Sequence, residues 1–174
     1  MPRVRLAMEF MLKQCEGDKG VLVIKAKGHE GHDKSLGSNY WDITAFGWKD
    51  AFTNAHYYPS IEAMAQLEEA VLREPEVRAL LRQQSASTGA SGSTSVAAEA
   101  SPAPRSPRFY RRLAQIVRKS YNDTFWLQHA GRYSGCVDID GVTHDYGFTF
   151  VNLPAMAYGL ADAEQVKRVY HWIE

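Results

Sequence analysis

A chain of 174 residues can build one domain with a real core but not two large ones. Its 20 basic and 20 acidic side chains cancel to a formal net charge of zero, which argues against nucleic acid as a partner, since an electrostatic binder presents a basic face. No apolar run approaches the roughly 20 residues that a bilayer span requires, so no membrane partner is expected, and the two distant cysteines, Cys15 and Cys136, read as buried thiols rather than a disulfide framework.

Val4, Ala7, Met8, Met11, Leu12 and Cys15 recur at helical spacing and predict a helix from about Arg3 to Cys15. Gly17 can supply its left-handed cap, in a turn over Gly17-Asp18-Lys19-Gly20. Val21 to Ile24 is too short for a helix and reads as a brief strand or a buried extended segment. The start, Met-Pro-Arg-Val-Arg, leads into an amphipathic pattern rather than an apolar signal core, so no export signal is expected in this chain. A cytoplasmic setting follows if Met1 is the true start.

Gly28 to Ser38 should be an exposed, glycine-rich loop. His29, Glu30, His32 and Asp33 are of zinc-ligand type, but the histidines are three apart among glycines, without the four-residue helical spacing of a zinc-protease site. No metal or cofactor is expected, and the loop reads as solvated or substrate-facing.

From Ser38 to Tyr58, aromatics, carboxylates and a lysine crowd a loop-to-helix boundary. Rings beside fixed carboxylates suit a sugar site, where the rings cover the apolar faces of a pyranose and polar groups bind its hydroxyls. A carboxylic acid is also what glycosidic cleavage requires. The same residues would equally make a tightly packed turn between two helices. Trp48, Ala51, Phe52 and Ala55 predict a helix after Gly47, Pro59 predicts a kink or break near Tyr58, and Ile61, Met64, Leu67 and Val71 resume helical spacing to about Arg73. Pro75 ends this helix or starts a short one over 76–82.

Residues 83–107 are dominated by Ser, Ala, Gly, Thr and Pro, cannot bury enough apolar surface to offset ordering, and are expected to form a disordered insertion. Blocks 1–82 and 108–174 then belong to one domain. In the second block, Phe109, Leu113, Ile116, Val117 and Tyr121 predict a helix ended by Asn122-Asp123, with Phe125 and Trp126 tucked under it. Gly135 to Asp145 alternates around Asp140-Gly141 and predicts a tight hairpin. Asp138, Asp140 and Asp145 lack the ligand pattern of an EF-hand loop. A helix is expected over Phe148 to Gly159 despite Pro154, and a last one opens with Asp162 and Gln165 as a capping box and carries Val166, Val169, Tyr170 and Ile173.

Tyr40-Trp41-Asp42, then Phe46-Gly47-Trp48-Lys49-Asp50-Ala51 and the Tyr57-Tyr58 to Ala63-Met64-Ala65 helix, resemble the inner-helix segment of six-hairpin, (α/α)6-toroid glycoside hydrolases. The second block agrees through Tyr121-Asn122-Asp123-Thr124-Phe125-Trp126, Gly131-Arg132-Tyr133, Asp140-Gly141, Asp145-Tyr146-Gly147-Phe148-Thr149 to Asn152, and Ala157-Tyr158-Gly159-Leu160-Ala161. The resemblance, which extends to trehalases and processing α-glucosidases, implies a mainly α fold: antiparallel helical hairpins of an incomplete (α/α)6 toroid with a small β-hairpin. It also implies a carbohydrate substrate and an inverting mechanism, in which one carboxylic acid protonates the leaving oxygen while a second carboxylate activates water. Asp42 is the implied acid. Tyr40, Trp41 and Trp48 are candidates for stacking on sugar, and Lys49, Asp50, Asp145 and Tyr146 for its polar rim, although a helix-capping or ion-pairing role suits Lys49 and Asp50 equally. A full toroid needs about a dozen helices and this chain supplies roughly half at ordinary helix lengths. A fragment, a homo-oligomer or a missing C-terminal half is therefore expected, and the rival reading is a non-catalytic helical-hairpin module that binds carbohydrate or a partner protein.

Overall fold

The computed structural model describes residues 1–32, 46–87 and 102–174. Among these, six α-helices dominate: α1 (Pro2–Lys13), α2 (Ala51–Arg73), α3 (Pro75–Ser87), α4 (Pro107–Phe125), α5 (Thr149–Ala157) and α6 (Ala163–Ile173). Five two-residue strands form two small antiparallel sheets. β1 (Lys49–Asp50), β4 (Cys136–Val137) and β5 (Thr143–His144) make one in the order β1-β4-β5, and β2 (Trp126–Leu127) pairs with β3 (Arg132–Tyr133) in the other.

The core lies between α2 and α4. On α4, Tyr110, Leu113, Ala114, Val117, Tyr121 and Phe125 form one buried stripe at helical spacing, opened by Ser106, whose hydroxyl caps the Phe109 amide, and by Pro107 in the first turn. They meet Tyr57, Tyr58, Ile61, Met64 and Ala65 of α2, with Met8 and Leu12 of α1 and Val151 and Ala155 of α5 completing the cluster. The ion pair of Arg111 with Glu69 joins the start of α4 to the far end of α2, so these helices are antiparallel. α1 is antiparallel to α2 as well. Arg5 grips Glu68 with two hydrogen bonds of 2.6 and 2.7 Å, while the chain just beyond α1 reaches Tyr57. By contrast α5 runs parallel to α2, since Phe52 meets Phe150 and His56 meets Tyr158. Thus α2 and α5 begin at one end of the molecule, whereas α3 and the re-entry of the chain at Pro107 lie at the other.

One device fixes the start of both parallel helices. Asn54, four residues into α2, accepts from the Leu22 amide (2.6 Å) and donates to the Leu22 carbonyl (3.2 Å) and the Asp50 carbonyl (2.8 Å). Asn152 in α5 repeats this with the Tyr133 amide (2.8 Å), the Tyr133 carbonyl (3.4 Å) and the Phe148 carbonyl (2.9 Å). Both asparagines are fully buried, and in each case the side chain supplies an extended segment with the backbone partners that burial demands.

Several sequence expectations need correction. The helix expected after Gly47 starts only at Ala51, because Trp48 adopts a left-handed conformation (φ 56°) that no helix accepts. Pro59 does not break it: α2 is continuous to Arg73, and the burial of Tyr58, Ile61 and Met64 on either side outweighs the local cost of one proline, about 3 kcal/mol. The left-handed residue after α1 is Glu16, not Gly17. Of the two readings of Val21 to Ile24, the buried extended segment holds, tied by a single bridge, Ile24 to Trp48. α4 runs on through Asn122-Asp123 to Phe125, and α3 extends to Ser87, into the stretch read as an insertion. The hairpin at Asp140-Gly141 and the Asp162–Gln165 capping box are as read. No described helix is long and apolar enough to cross a membrane.

Candidate functional site

At the end where α2 and α5 begin, three pieces of chain are fastened together by their backbones. The His29 carbonyl accepts from the Trp48 amide (2.5 Å), the Trp48 carbonyl from the Ile24 amide (2.8 Å), and the Glu30 carbonyl from the Ile139 amide (2.8 Å). The 28–31 turn therefore lies against β1 on one side and against the β4–β5 hairpin on the other. Two glycines permit this approach. A Cβ on Gly31 (φ +84°) would stand 3.0 Å from the Gly47 carbonyl oxygen, and one on Gly47 (φ +158°) only 2.5 Å from that of His29. Trp48 follows with its own positive φ. A left-handed bulky residue costs roughly 1–2 kcal/mol, and such outliers persist where the surrounding structure fixes them, characteristically at functional sites. Its ring stands half-buried, outside the main buried cluster.

A row of rings runs from this junction along the two helices. His144, Tyr146, Phe148 and Phe150 alternate in sequence and stack face to face, with centroid spacings of 5.9, 5.2 and 4.8 Å and interplanar angles under 30°. Phe150 then meets the edge of Phe52 (5.8 Å), Phe52 contacts His56 (4.5 Å), and His56 contacts Tyr158 (5.4 Å). Six of these seven rings are half-buried and Tyr158 is exposed, while Phe46 is buried beneath Tyr146 and Phe148. In a row stacked this way each inner ring has its faces against its neighbours, so the partly open surface is made mainly of ring edges.

Three carboxylates flank the strands of the β1-β4-β5 sheet, and one of them bonds His144 at the start of the row. Asp50 caps α2: one oxygen accepts from the Thr53 amide (3.0 Å), the other from the Thr53 hydroxyl (2.7 Å). Burial pushes its carboxyl above the ordinary value and the Thr53 bonds work against that shift. Asp138 is buried in the hairpin turn. Its Oδ1 accepts from the Asp140 and Val142 amides (3.0 and 2.8 Å), and its Oδ2 bonds the His144 ring at 2.8 Å. Burial pushes the Asp138 carboxyl up, but the His144 ring and the turn amides outweigh it, leaving a value below the ordinary one. Asp145 is gripped by Arg132 through two bonds of 3.1 and 2.7 Å, and the Arg132 guanidinium lies 4.9 Å over the Trp172 ring.

The lowered Asp138 carboxyl carries a pH prediction. A carboxyl depressed on folding contributes stability that is present above its unfolded value, about 3.9, and is lost as pH falls through the folded one. Asp138→Asn should therefore flatten the acid side of the stability curve. Urea midpoints at about pH 6 and about pH 3 give the comparison, and an equally steep fall in the variant would show that the Asp138 turn does not respond to acid.

The sequence-predicted residues divide accordingly. Tyr40, Trp41 and Asp42 lie outside the described residues. Trp48, Lys49, Asp50 and Tyr146 come together at one end of the molecule, with Asp50 employed as a helix cap and Lys49 in β1. Asp145 lies just beyond the hairpin, held by Arg132. The sequence reading missed His144, Phe148, Phe150, Phe52 and His56 as ring neighbours. The signal was the period-two run His144, Tyr146, Phe148, an extended segment with one face in use, carried on by Phe150 in the first turn of α5. Among the described residues, no group of three or more His, Cys, Asp or Glu side chains is placed to hold a metal ion. Two open clefts lie elsewhere. One of about 270 Å³ is bounded by His129, Gly131, Arg168 and Trp172, and one of about 370 Å³ lies between α4 and the start of α6.

No protein family model, curated protein or solved structure matches the chain.

Proposed function

We propose that this chain is a carbohydrate-acting domain of the six-hairpin glycoside hydrolase type, an incomplete (α/α)6 toroid that cleaves O-glycosidic bonds with inversion. The observation that carries the reading is the group of half-buried aromatic rings at the end where α2 and α5 begin, with Trp48 and three fixed carboxylates on the neighbouring β1-β4-β5 sheet. Aromatic rings are the groups that cover the apolar faces of pyranoses, and the resemblance assigns Asp42 as the acid that protonates the leaving oxygen. Antiparallel hairpins whose parallel members start at one end also suit a sector of such a toroid.

The test is release of nitrophenol from a panel of aryl α- and β-glycosides by the purified chain, with the anomer first released followed by proton NMR. Turnover with inversion is the expected result. A folded chain that turns over none of the panel would sink the reading.

The non-catalytic alternative is favoured by one observation. Leu153 on α5, Tyr158 just beyond it, and Tyr170 and Ile173 on α6 are exposed apolar side chains of the kind a protein partner covers. A ring row without turnover, but with measurable affinity for an oligosaccharide, would support that alternative.

A further inference from the structure

Basic side chains from two elements converge on the open cleft of about 270 Å³ between the β2–β3 turn and α6, and no acidic side chain lines it. On α6, Lys167 and His171 stand one turn apart, as do Arg168 and Trp172, so the two pairs form adjacent columns on one face of the helix. His129 lines the same cleft from the turn. In a chain with as many acidic as basic side chains, a cleft of one sign departs from the overall composition, and its walls concentrate anions by focusing their field. Complementing the helix dipole would account for His171 in the last turn of α6, but not for His129, which belongs to another element. The one acidic group that Lys167 meets among the described residues is Glu164, at 3.8 Å with both side chains largely exposed, where an ion pair contributes little.

The cleft also has a fixed frame. Arg168 donates from Nη2 to the Gln128 carbonyl, and its guanidinium lies 5.4 Å from the centroid of the Trp126 ring. That bond uses one N–H of the guanidinium and, among the described residues, leaves the rest of its fork for a ligand. The turn beside it is closed by the Ala130 and Gly131 amides, which donate to the Leu127 carbonyl (3.1 and 2.8 Å). Gly131 (φ +67°) gives the guanidinium room, since a Cβ there would stand 3.3 Å from Nε. Trp172 is steadied by the Arg132 guanidinium over its ring, and Asp145 holds Arg132 in turn.

We infer that this cleft binds the phosphoryl group of a small phosphate monoester, with Arg168, Lys167, His129 and His171 around its oxygens and Trp172 beside the esterified group. A carboxylate offers a single charge and two oxygens. A phosphoryl group offers nearly two charges and three strong acceptors, which suits donors that arrive from two walls. The volume lies just below the range of about 300–1,000 Å³ usual for small-molecule pockets, so the ester is a small one. The inference stands independently of the glycosidase reading.

The test follows amide NMR shifts of the purified chain at constant ionic strength as sodium glycerol phosphate is added, with sodium acetate as the comparison. The expected result is saturable shifts confined to residues 128–131 and 167–172, with a Kd below about 1 mM and acetate weaker by about tenfold or more. Lys167→Gln and His171→Gln replace exposed side chains, and circular dichroism melts check that both variants fold. Each should raise Kd about fivefold and the double variant more than about tenfold, whereas Lys119→Gln, which removes the same charge beside the other cleft, should leave Kd within about 1.5-fold. Phosphatidylcholine vesicles containing phosphatidate present the same group on a lipid. Sedimentation with them that the double variant loses would place the ester on a lipid headgroup, and saturation by glycerol phosphate without sedimentation would make it a soluble ester. No saturation below about 20 mM together with no sedimentation overturns the inference. So does a Kd that Lys119→Gln raises as much as Lys167→Gln, or acetate binding as tightly as the phosphate ester.

Discussion

Asn152→Ala should destabilise the fold by about 3 kcal/mol, and Asn54→Ala by a similar amount, because each truncation strands a buried backbone amide and carbonyl together. The reasoning does not depend on the hydrogen bonds being strong. In water the Tyr133 and Leu22 amides are satisfied, and in the folded chain the asparagine side chain is what replaces that water. Removing it leaves the desolvation cost uncompensated, at roughly 1–3 kcal/mol for each orphaned group. Against a total stability of about 5–15 kcal/mol for an ordinary domain, this is a large fraction from two methyl-sized remnants. Urea denaturation measures it as a drop in midpoint at constant slope. Losses under about 0.5 kcal/mol would mean that the extended segments shift to find other partners, and that the two clamps are not what holds α2 and α5 in register.

The second large effect belongs to Gly47. An alanine there would put its Cβ 2.5 Å from the His29 carbonyl oxygen and 2.9 Å from the carbonyl carbon, atoms of a backbone that cannot rotate away. Either β1 or the 28–31 turn must move, and the bonds from the Trp48 amide to His29 and from the Ile139 amide to Glu30 are the ones to break. The expected cost is about 3 kcal/mol, with hydrogen-exchange protection lost at Trp48 and Ile139 before the α2–α4 core opens. Gly141→Ala is the control. It too has a positive φ (+82°), but nothing lies within 4 Å of its Cβ position, so it should cost only the left-handed penalty of about 1 kcal/mol. If the two variants lose equal stability, the close packing of the turn on β1 contributes nothing.

Much of the helical framework was legible in the sequence, for identifiable reasons. The α4 stripe and the Asp162–Gln165 box depend on contacts within one helix, so local spacing carries them. The hairpin depends on Asp140-Gly141, a dipeptide that suits a tight turn. What local pattern could not carry was decided by tertiary packing. Pro59 sits inside α2 because the surfaces flanking it are buried, and Trp48 is left-handed because its amide and carbonyl are both engaged by other segments. At the candidate site, Trp48 and Tyr146 were legible as aromatic neighbours of carboxylates. The order of the ring row was not, because Phe148 and Phe150 had been assigned to helical periodicity, whereas their stacking continues a period of two from the extended segment before α5 into its first turn. Glu30 was read as part of a solvated or substrate-facing loop, its metal-ligand type set aside for want of the right spacing. Its Oε2 is buried without a donor among the described residues, which no sequence pattern encodes.

The arrangement of α2 and α4 also bears on what can be built into this protein. α2 leads away from the ring row, and the chain re-enters α4 at Pro107 beside that same distant end, where Arg111 joins Glu69. The chain thus leaves α2 at Arg73 and re-enters α4 at Pro107 at the pole opposite the candidate site. A fluorescent reporter or affinity domain spliced between them would be tethered at both ends on the side away from the rings, and the added loop length carries only a logarithmic entropic cost.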